Sequence, residues 1–238
     1  MLDETSRNFE REVKSRCLLD KNMSELIMTA MEIIGTIAFS ISGALIAVSC
    51  GLDIFGVVFL GVITSVGGGM LRDVMIGNIP PLIFSNTYIF ILAAITAIIV
   101  FIVAYINRRH FQTLKEKIEK INNIFDAIGL SAFTVTGTEI ACAVGFSDKI
   151  LLVVLMGMAT GVGGGIFRDI LVSKTPYVLK KHIYALASIV GSVIYYCIRI
   201  TTEEKAIGTV FAILTVFVIR MLATKYRWKL PKISLCKK

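Results

Sequence analysis

The feature that most constrains this chain is a series of apolar stretches, each about 20 residues long and poor in charged side chains. In a water-soluble domain, apolar residues recur at the period of a helix or a strand, but here they follow one another without that alternation. A helix of that length crosses the ~30 Å of hydrocarbon in a bilayer. With a mean hydropathy of +0.78, the chain is predicted to be an all-α polytopic membrane protein.

Seven transmembrane helices are predicted from these stretches. They cover residues 26–49, 54–76, 87–106, 124–145, 150–172, 181–199 and 206–224. Residues 1–25 carry charges of both signs and no apolar run, so we predict an N-terminal extramembrane segment and not a cleavable signal peptide.

Positive charge is concentrated in segments that seven spans place on one side of the membrane. These are the loop 108–123, the connection between spans five and six, and the tail 225–238. Cytoplasmic loops are enriched in Lys and Arg, so the C-terminus is predicted to be cytoplasmic and the N-terminus outside, in the cell membrane of a prokaryote. Because the excess of positive charge lies in these loops, the net charge of +8 is explained by membrane topology, and we predict no nucleic-acid partner and no soluble partner. Anionic lipid bound to these loops is the alternative to solvated loops.

No motif typical of an enzyme, a metal site or a resident cofactor occurs in the sequence. The five cysteines are scattered, and the two histidines lie in or beside basic loops. The segment GVGGGIF lacks the third glycine of a dinucleotide fingerprint. The chain is predicted not to be an enzyme and to hold no cofactor.

The chain contains a duplicated half. VGGGMLRD at 66–73 recurs as VGGGIFRD at 162–169, and EIIGTIAFSISG at 32–43 aligns without gaps on DAIGLSAFTVTG at 126–137. Each unit holds three spans, so the two units cross the membrane in opposite directions. The predicted fold is two inverted three-helix repeats, residues 26–107 and 124–199, followed by a seventh helix within 200–224.

The glycine triplets predict a local break in spans two and five. Each glycine costs a helix about 1 kcal/mol relative to alanine, so a triplet favours a kink or an unwound turn whose carbonyls face a wet path. The alternative is close helix packing, because these glycines also belong to small-xxx-small ladders. The residues concerned are Gly67, Gly68, Gly69, Gly163, Gly164 and Gly165.

The Arg–Asp pairs are predicted to guard two mouths of a central path. Arg72 and Asp73 lie near the outer face, and Arg168 and Asp169 lie near the inner face. Neighbouring residues on a helix point about 100° apart, so we predict that Arg72 pairs with Glu139 and not with Asp73. The hydroxyl side chains predicted to line the path are Ser40, Thr64, Ser65, Thr134 and Thr160; back-bonding within their own helices is the alternative.

With two copies of GGGxxRD, two of IGxxAF[ST]x[ST]G and three plus three plus one spans, residues 26–224 resemble the prokaryotic trimeric intracellular cation (TRIC) channels. This family is also labelled a glycine transporter domain family. The resemblance implies a homotrimer with a pore in each subunit, lined by helices two and five, that conducts monovalent cations, chiefly K⁺. The only ligand implied is K⁺ or Na⁺ in the pore. Asp53 in GLDIFG and Tyr184 in HIYA are similar to recurrent family residues.

Two other functional classes fit the same pattern. Inverted repeats and interrupted helices also serve secondary transporters, so transport of a small zwitterion such as glycine is the main alternative to a channel. A membrane assembly protein without transport activity is the third class.

Overall fold

The computed structural model describes residues 2–108, 115–180, 183–202, 205–226 and 228, and these residues are helical with short connections. The long helices are α1 (Leu2–Ser49), α2 (Ile54–Met75), α3 (Thr87–Ile106), α4 (Lys115–Ala141), α5 (Ile150–Leu171), α6 (Ile183–Thr202) and α7 (Lys205–Lys225). A π-helical turn, Cys142–Phe146, continues α4. Two short helical turns, Leu82–Phe84 and Tyr177–Lys180, follow α2 and α5.

All seven predicted spans are confirmed as helices long and apolar enough to cross a membrane. Their spanning portions agree with the predicted bounds to within a few residues, except that the fourth begins at Glu116. Part of the predicted basic loop, residues 115–123, is helical because KEKIEKINN is rich in good helix formers. The N-terminal segment is also helical, since α1 runs without interruption from Leu2.

The two repeats pack against each other through reciprocal contacts. The rings of Phe39 and Phe133, which occupy equivalent positions in the two repeats, lie 5.3 Å apart between centroids. Gly35 lies against the Phe133 ring, and its equivalent Gly129 lies against the Phe39 ring. Because these contacts of one repeat recur at equivalent positions in the other, they indicate a pseudo-twofold relation between α1–α3 and α4–α6, as inverted repeats require.

The same reciprocity holds where α2 crosses α5. A Cβ atom on Gly68 would overlap the carbonyl oxygen of Thr160, and a Cβ atom on Gly164 would overlap the carbonyl oxygen of Thr64. Only glycine lets the two backbones approach this closely, as in other small-residue helix crossings. The glycine triplets therefore form the central contact between the repeats.

The predicted unwound turn at the glycine triplets is wrong. Residues 54–75 and 150–171 are α-helical throughout, and the positive-φ glycines among the described residues lie elsewhere, at Gly51, Gly77 and Gly145. The physical reason is that close packing of α2 on α5 offsets the low helix propensity of glycine. Close helix packing, the alternative for these glycines, is present at the crossing, and the predicted bend of the two helices stays a prediction.

Helices α3 and α7 lie at the periphery and carry large apolar side chains on their exposed faces. Those of α3 include Phe90, Ile91, Ile95 and Ile99, and those of α7 include Val210, Phe211, Leu214 and Val218. Such faces fit contact with lipid chains or with another subunit, whereas α4, at the centre, is largely buried.

We expect Gly68→Ala to lower the melting temperature of the purified protein in detergent, because the added methyl group overlaps the Thr160 carbonyl oxygen. Overpacking of this kind costs about 1–3 kcal/mol. The matched control is Gly69→Ala, whose new Cβ meets nothing closer than the Arg72 side chain at 3.8 Å. This control should be as stable as the wild type or more so. Equal melting temperatures for the two variants would contradict the packing role.

Candidate functional site

A buried charge cluster lies at one end of the bundle, where α5 ends. Arg168 is 0% exposed. Its Nη1 donates to Asp126 Oδ1 at 2.8 Å and to Ser42 Oγ at 2.6 Å, and its Nε donates to Asp169 Oδ1 at 2.9 Å. Ser42 lies in the first repeat and Asp126 in the second, so this arginine joins the two repeats. Together with Tyr184 and Arg220, these residues are called the Arg168 cluster below.

The seventh helix contributes Arg220 to the Arg168 cluster. Its Nη2 lies 3.3 Å from Asp126 Oδ2, and its guanidinium carbon lies 4.5 Å from the centroid of the Tyr184 ring. The Tyr184 hydroxyl donates to Asp126 Oδ1 at 3.3 Å. Two arginines thus face two aspartates, which neutralises the cluster as a buried site requires. Arg168 Nη2 and Arg220 Nε have no hydrogen-bond partner among the described residues.

The Asp of each motif also anchors the connection that follows its helix. Asp73 Oδ2 accepts a hydrogen bond from the backbone N–H of Leu82 at 2.9 Å, and Asp169 Oδ2 accepts one from that of Tyr177 at 2.8 Å. Tyr177 lies between spans five and six, and its partial burial raises the pKa of its phenol above the ordinary value. The recurrent RD motif therefore positions each helix end as well as its arginine.

At the opposite end of the bundle, Arg72 folds back onto its own neighbour. Its Nε and Nη2 donate to Asp73 Oδ1 at 2.9 and 2.7 Å. The predicted pairing of Arg72 with Glu139 is wrong. Neighbouring Cβ atoms point about 100° apart on a helix, but the arginine side chain is long enough to curl along α2 and reach the carboxylate of Asp73.

Glu139 has other partners, all on α6 and α7. Arg199 Nε donates to its Oε2, Lys205 Nζ lies 2.7 Å from its Oε1, and the Tyr195 hydroxyl donates to Oε2 at 3.0 Å. Glu139 is 5% exposed and therefore needs this neutralisation. It ties α4 to the last two helices instead of pairing with the first repeat.

A cavity of about 190 Å³ lies at the Arg72 end, between the repeats. It extends from Met28 near the start of the first span to Thr160 at the glycine crossing. Its polar lining comprises Thr29, Glu32, Thr36, Ser65, Arg72, Asp73, Asn86, Thr136, Glu139 and Thr160. This cavity is called the Arg72-end cavity below. At the other end of the bundle a larger cavity, of about 630 Å³, lies beside the Arg168 cluster, with Leu45, Asn122 and Tyr177 in its wall.

The predicted hydroxyl residues divide into two groups. Ser65 and Thr160 line the Arg72-end cavity, whereas Ser40, Thr64 and Thr134 do not. The hydroxyls of Thr64 and Thr160 donate to backbone carbonyls one turn earlier, at 2.6 and 2.7 Å. Ser40 bonds to the Ala93 carbonyl and Thr134 to the Ser188 hydroxyl, so these two join helices.

The glycines divide in the same way. Gly69 lines the Arg72-end cavity, while Gly67 and Gly163 lie in the crossing beside Gly68 and Gly164. Gly165 lies next to the Tyr184 hydroxyl in the Arg168 cluster. Asp53 belongs to neither end: it caps α2 by accepting a hydrogen bond from the Gly56 N–H at 2.8 Å.

Three charged residues of the site were missed from the sequence: Arg199, Lys205 and Arg220. Each lies in or at the edge of an apolar span, and a charge at such a position indicates a buried partner. That signal identifies the residues but not the carboxylates they meet.

A double-mutant cycle in a denaturant titration should report the Glu139 pairing. Glu139→Gln combined with Arg199→Gln should show a coupling energy of about 0.5–3 kcal/mol, because the two side chains bond directly. Glu139→Gln combined with Arg72→Gln should be additive within about 0.5 kcal/mol. Strong coupling in the second cycle would support the pairing of Arg72 with Glu139 that the sequence predicts and would contradict the structure.

Known proteins share both the sequence pattern and this fold. The family model described as "Glycine transporter" matches residues 29–105 and 123–199, which are the two repeats. The UPF0126 inner membrane protein YadS of Escherichia coli (strain K12) is 32% identical over 86% of this chain and 95% of its own length.

Two solved structures match the whole bundle. One, "Crystal structure of a prokaryotic TRIC channel in 0.5 M KCl", is 37% identical with a TM-score of 0.77, covering 87% of this chain and 100% of that one. The other is a TRIC trimeric intracellular cation channel orthologue from Rhodobacter sphaeroides, 27% identical with a TM-score of 0.76 over 85% of this chain and 99% of that one. The chain therefore belongs to the prokaryotic TRIC family, which the matching family model describes as glycine transporter.

Proposed function

We propose that this protein is a channel for monovalent cations, chiefly K⁺, with one pore in each subunit along the interface between the two repeats. The observation that carries the proposal is the likeness, at 37% identity over the entire matched chain, to a prokaryotic TRIC channel. The polar Arg72-end cavity supports it, because a cation leaving water needs oxygen ligands along an enclosed path.

The path would run from the Arg72-end cavity past the α2–α5 crossing to the Arg168 cluster. Helices α2 and α5 would line it, with Gly69, Ser65 and Thr160 in contact with the ion path at the cavity end. In this proposal the Arg168 cluster is the gate, since Arg168 bridges Ser42 and Asp126 of the two repeats. Two unpartnered N–H donors in the cluster support a closed state that can be exchanged for an open one.

The same relatives support a proposal for the assembly and the location. We propose a homotrimer, because one matched structure is of a trimeric channel and the exposed apolar faces of α3 and α7 offer contact surfaces. We propose the inner membrane of a prokaryote, as for the E. coli relative. We propose that the C-terminus, and with it the Arg168 cluster, lies on the cytoplasmic side, because the basic loops fall at that end.

Transport of a small zwitterion such as glycine is the second candidate. The description of the matching family favours it, and inverted repeats serve secondary transporters as well as channels.

The purified protein in a planar bilayer distinguishes the two candidates. A channel gives single-channel currents that reverse at the K⁺ Nernst potential in a KCl gradient. A transporter gives no unitary currents but takes up labelled glycine into vesicles to saturation when a cation gradient is imposed. Uptake without currents would overturn the channel proposal.

We expect Arg220→Gln to raise the open probability of the channel at least severalfold, because Asp126 then holds one arginine fewer and the Arg168 cluster loses its link to α7. The matched control is Lys225→Gln, which removes one positive charge from the last turn of the same helix without touching Asp126. Single-channel recordings of size-exclusion-purified protein provide the measurement. An unchanged open probability in folded Arg220→Gln protein would contradict the assignment of the gate.

A further inference from the structure

Helix α7 is held to α4 by one ion pair at each end of the bundle. At one end Lys205 Nζ lies 2.7 Å from Glu139 Oε1, and at the other end, in the Arg168 cluster, Arg220 Nη2 lies 3.3 Å from Asp126 Oδ2. Both carboxylates belong to α4 and both cations belong to α7. At about 1.5 Å per residue, the two pairs are roughly 20 Å apart along the helices. Because α7 runs antiparallel to α4, a single helix joins the two ends of the bundle.

The charges at the first of these ends accompany α7 and are not shared by the repeats. Glu139 aligns on Leu45 of the first repeat, and Arg199, which also bonds to Glu139, aligns on Val103. Neither of these apolar residues can form an ion pair. The first repeat also has no helix equivalent to α7. Charges in an apolar span are costly, so their presence only beside α7 indicates that they serve to hold this helix.

Helices α6 and α7 are packed closely enough to move as one body. A Cβ atom on Gly191 of α6 would overlap the side chain of Val216 on α7, and a Cβ atom on Gly208 of α7 would contact the ring of Tyr195 on α6. Ala212 and Val216, in the middle of α7, are fully buried. Side chains packed at this density have few alternative arrangements, so the helices shift as rigid elements. A displacement of α7 at one end therefore reaches its other end.

The two ion pairs hold α7 with different strength. Glu139 is buried, and it is bonded by side chains of both α6 and α7. Asp126 meets Arg220 by a single contact at 3.3 Å, and Arg220 Nε has no hydrogen-bond partner among the described residues. Short charge-assisted contacts are stronger than long ones. The contact with Glu139 therefore fixes α7 more firmly than the contact within the Arg168 cluster does.

From these observations we propose that Glu139 and Lys205 are positioning residues for the gate. Their ion pair fixes α7 so that Arg220 stays on Asp126 and the Arg168 cluster stays closed. This inference rests on the proposed function, since it takes the Arg168 cluster as the gate. It adds a regulatory ion pair at the opposite end of the bundle, coupled to the gate through α7. The Lys205 side chain is 36% exposed, so this ion pair is accessible to the solution at its own end.

Single-channel recordings of the full-length protein test this coupling. Lys205→Gln should raise the open probability severalfold, as is expected of Arg220→Gln, because α7 loses its firmer attachment. Lys205→Arg keeps the charge and should behave as the wild type. The matched control is Lys149→Gln, which removes a positive charge from an exposed position at the same end, where the ammonium group lies over the Phe146 ring. An unchanged open probability in folded Lys205→Gln protein would overturn the proposal.

The double variant shows whether the two substitutions act through one helix. If Lys205→Gln already releases Arg220 from Asp126, adding Arg220→Gln should raise the odds of opening no further than the stronger single substitution does. Sites roughly 20 Å apart with no shared partner are otherwise additive in free energy, so their factors multiply. The full product of the two factors would show independent sites and would contradict the coupling.

Fluorescence of Trp228 gives a readout that does not need conduction. It is the only tryptophan of the chain, and it lies just after α7, stacked on Tyr226. Lys205→Gln should raise the quenching of its emission by acrylamide, because the released end of α7 exposes the indole, whereas Lys149→Gln should not. Increased quenching in a protein without unitary currents would support the coupling through α7 and contradict the channel. Unitary currents with unchanged quenching and unchanged open probability would rule out the coupling and leave the channel standing.

Discussion

The contact on which the rest of the structure depends is the crossing of α2 and α5 at their glycine triplets. In a bilayer, helices gain little from hydrophobic burial against one another, so close packing of small residues has to supply the association. Gly68 against the Thr160 carbonyl and Gly164 against the Thr64 carbonyl form the same contact twice. This reciprocal contact holds the inverted repeats in register and places their Arg–Asp pairs at opposite ends of the bundle.

The two repeats share their backbone contacts but differ in the ion pairs that their equivalent arginines form. The arginines of the two motifs occupy equivalent positions, but Arg168 bonds across the repeats while Arg72 bonds to Asp73. Helix α7, which belongs to neither repeat, adds Arg220 to one end only. A buried charge needs a partner of opposite charge. The addition of Arg220 beside Asp126 therefore favours a closed Arg168 cluster. At the end without it, Arg72 is paired within its own motif and borders the Arg72-end cavity.

Expectations drawn from hydropathy and repeats were confirmed, and those about individual side chains were less accurate. The seven spans and the inverted halves follow from the length and parity of apolar segments, which a bilayer enforces. The unwound glycine turn was wrong because helix propensity is weaker than tertiary packing. The Arg72–Glu139 pair was wrong because Arg199 and Lys205, some 60 residues away in sequence, are nearer to Glu139 in space.

The sequence by itself determined the membrane setting, the number of spans, their opposed duplication and the family, because these depend on local composition and on recurring motifs. The tertiary structure decided which carboxylate each arginine meets, why three glycines stand together, and where the cavities at the two ends of the bundle lie. These outcomes depend on how far each helix is rotated and where it crosses its neighbours. That geometry arises from the packing of all seven helices at once, and no single segment encodes it.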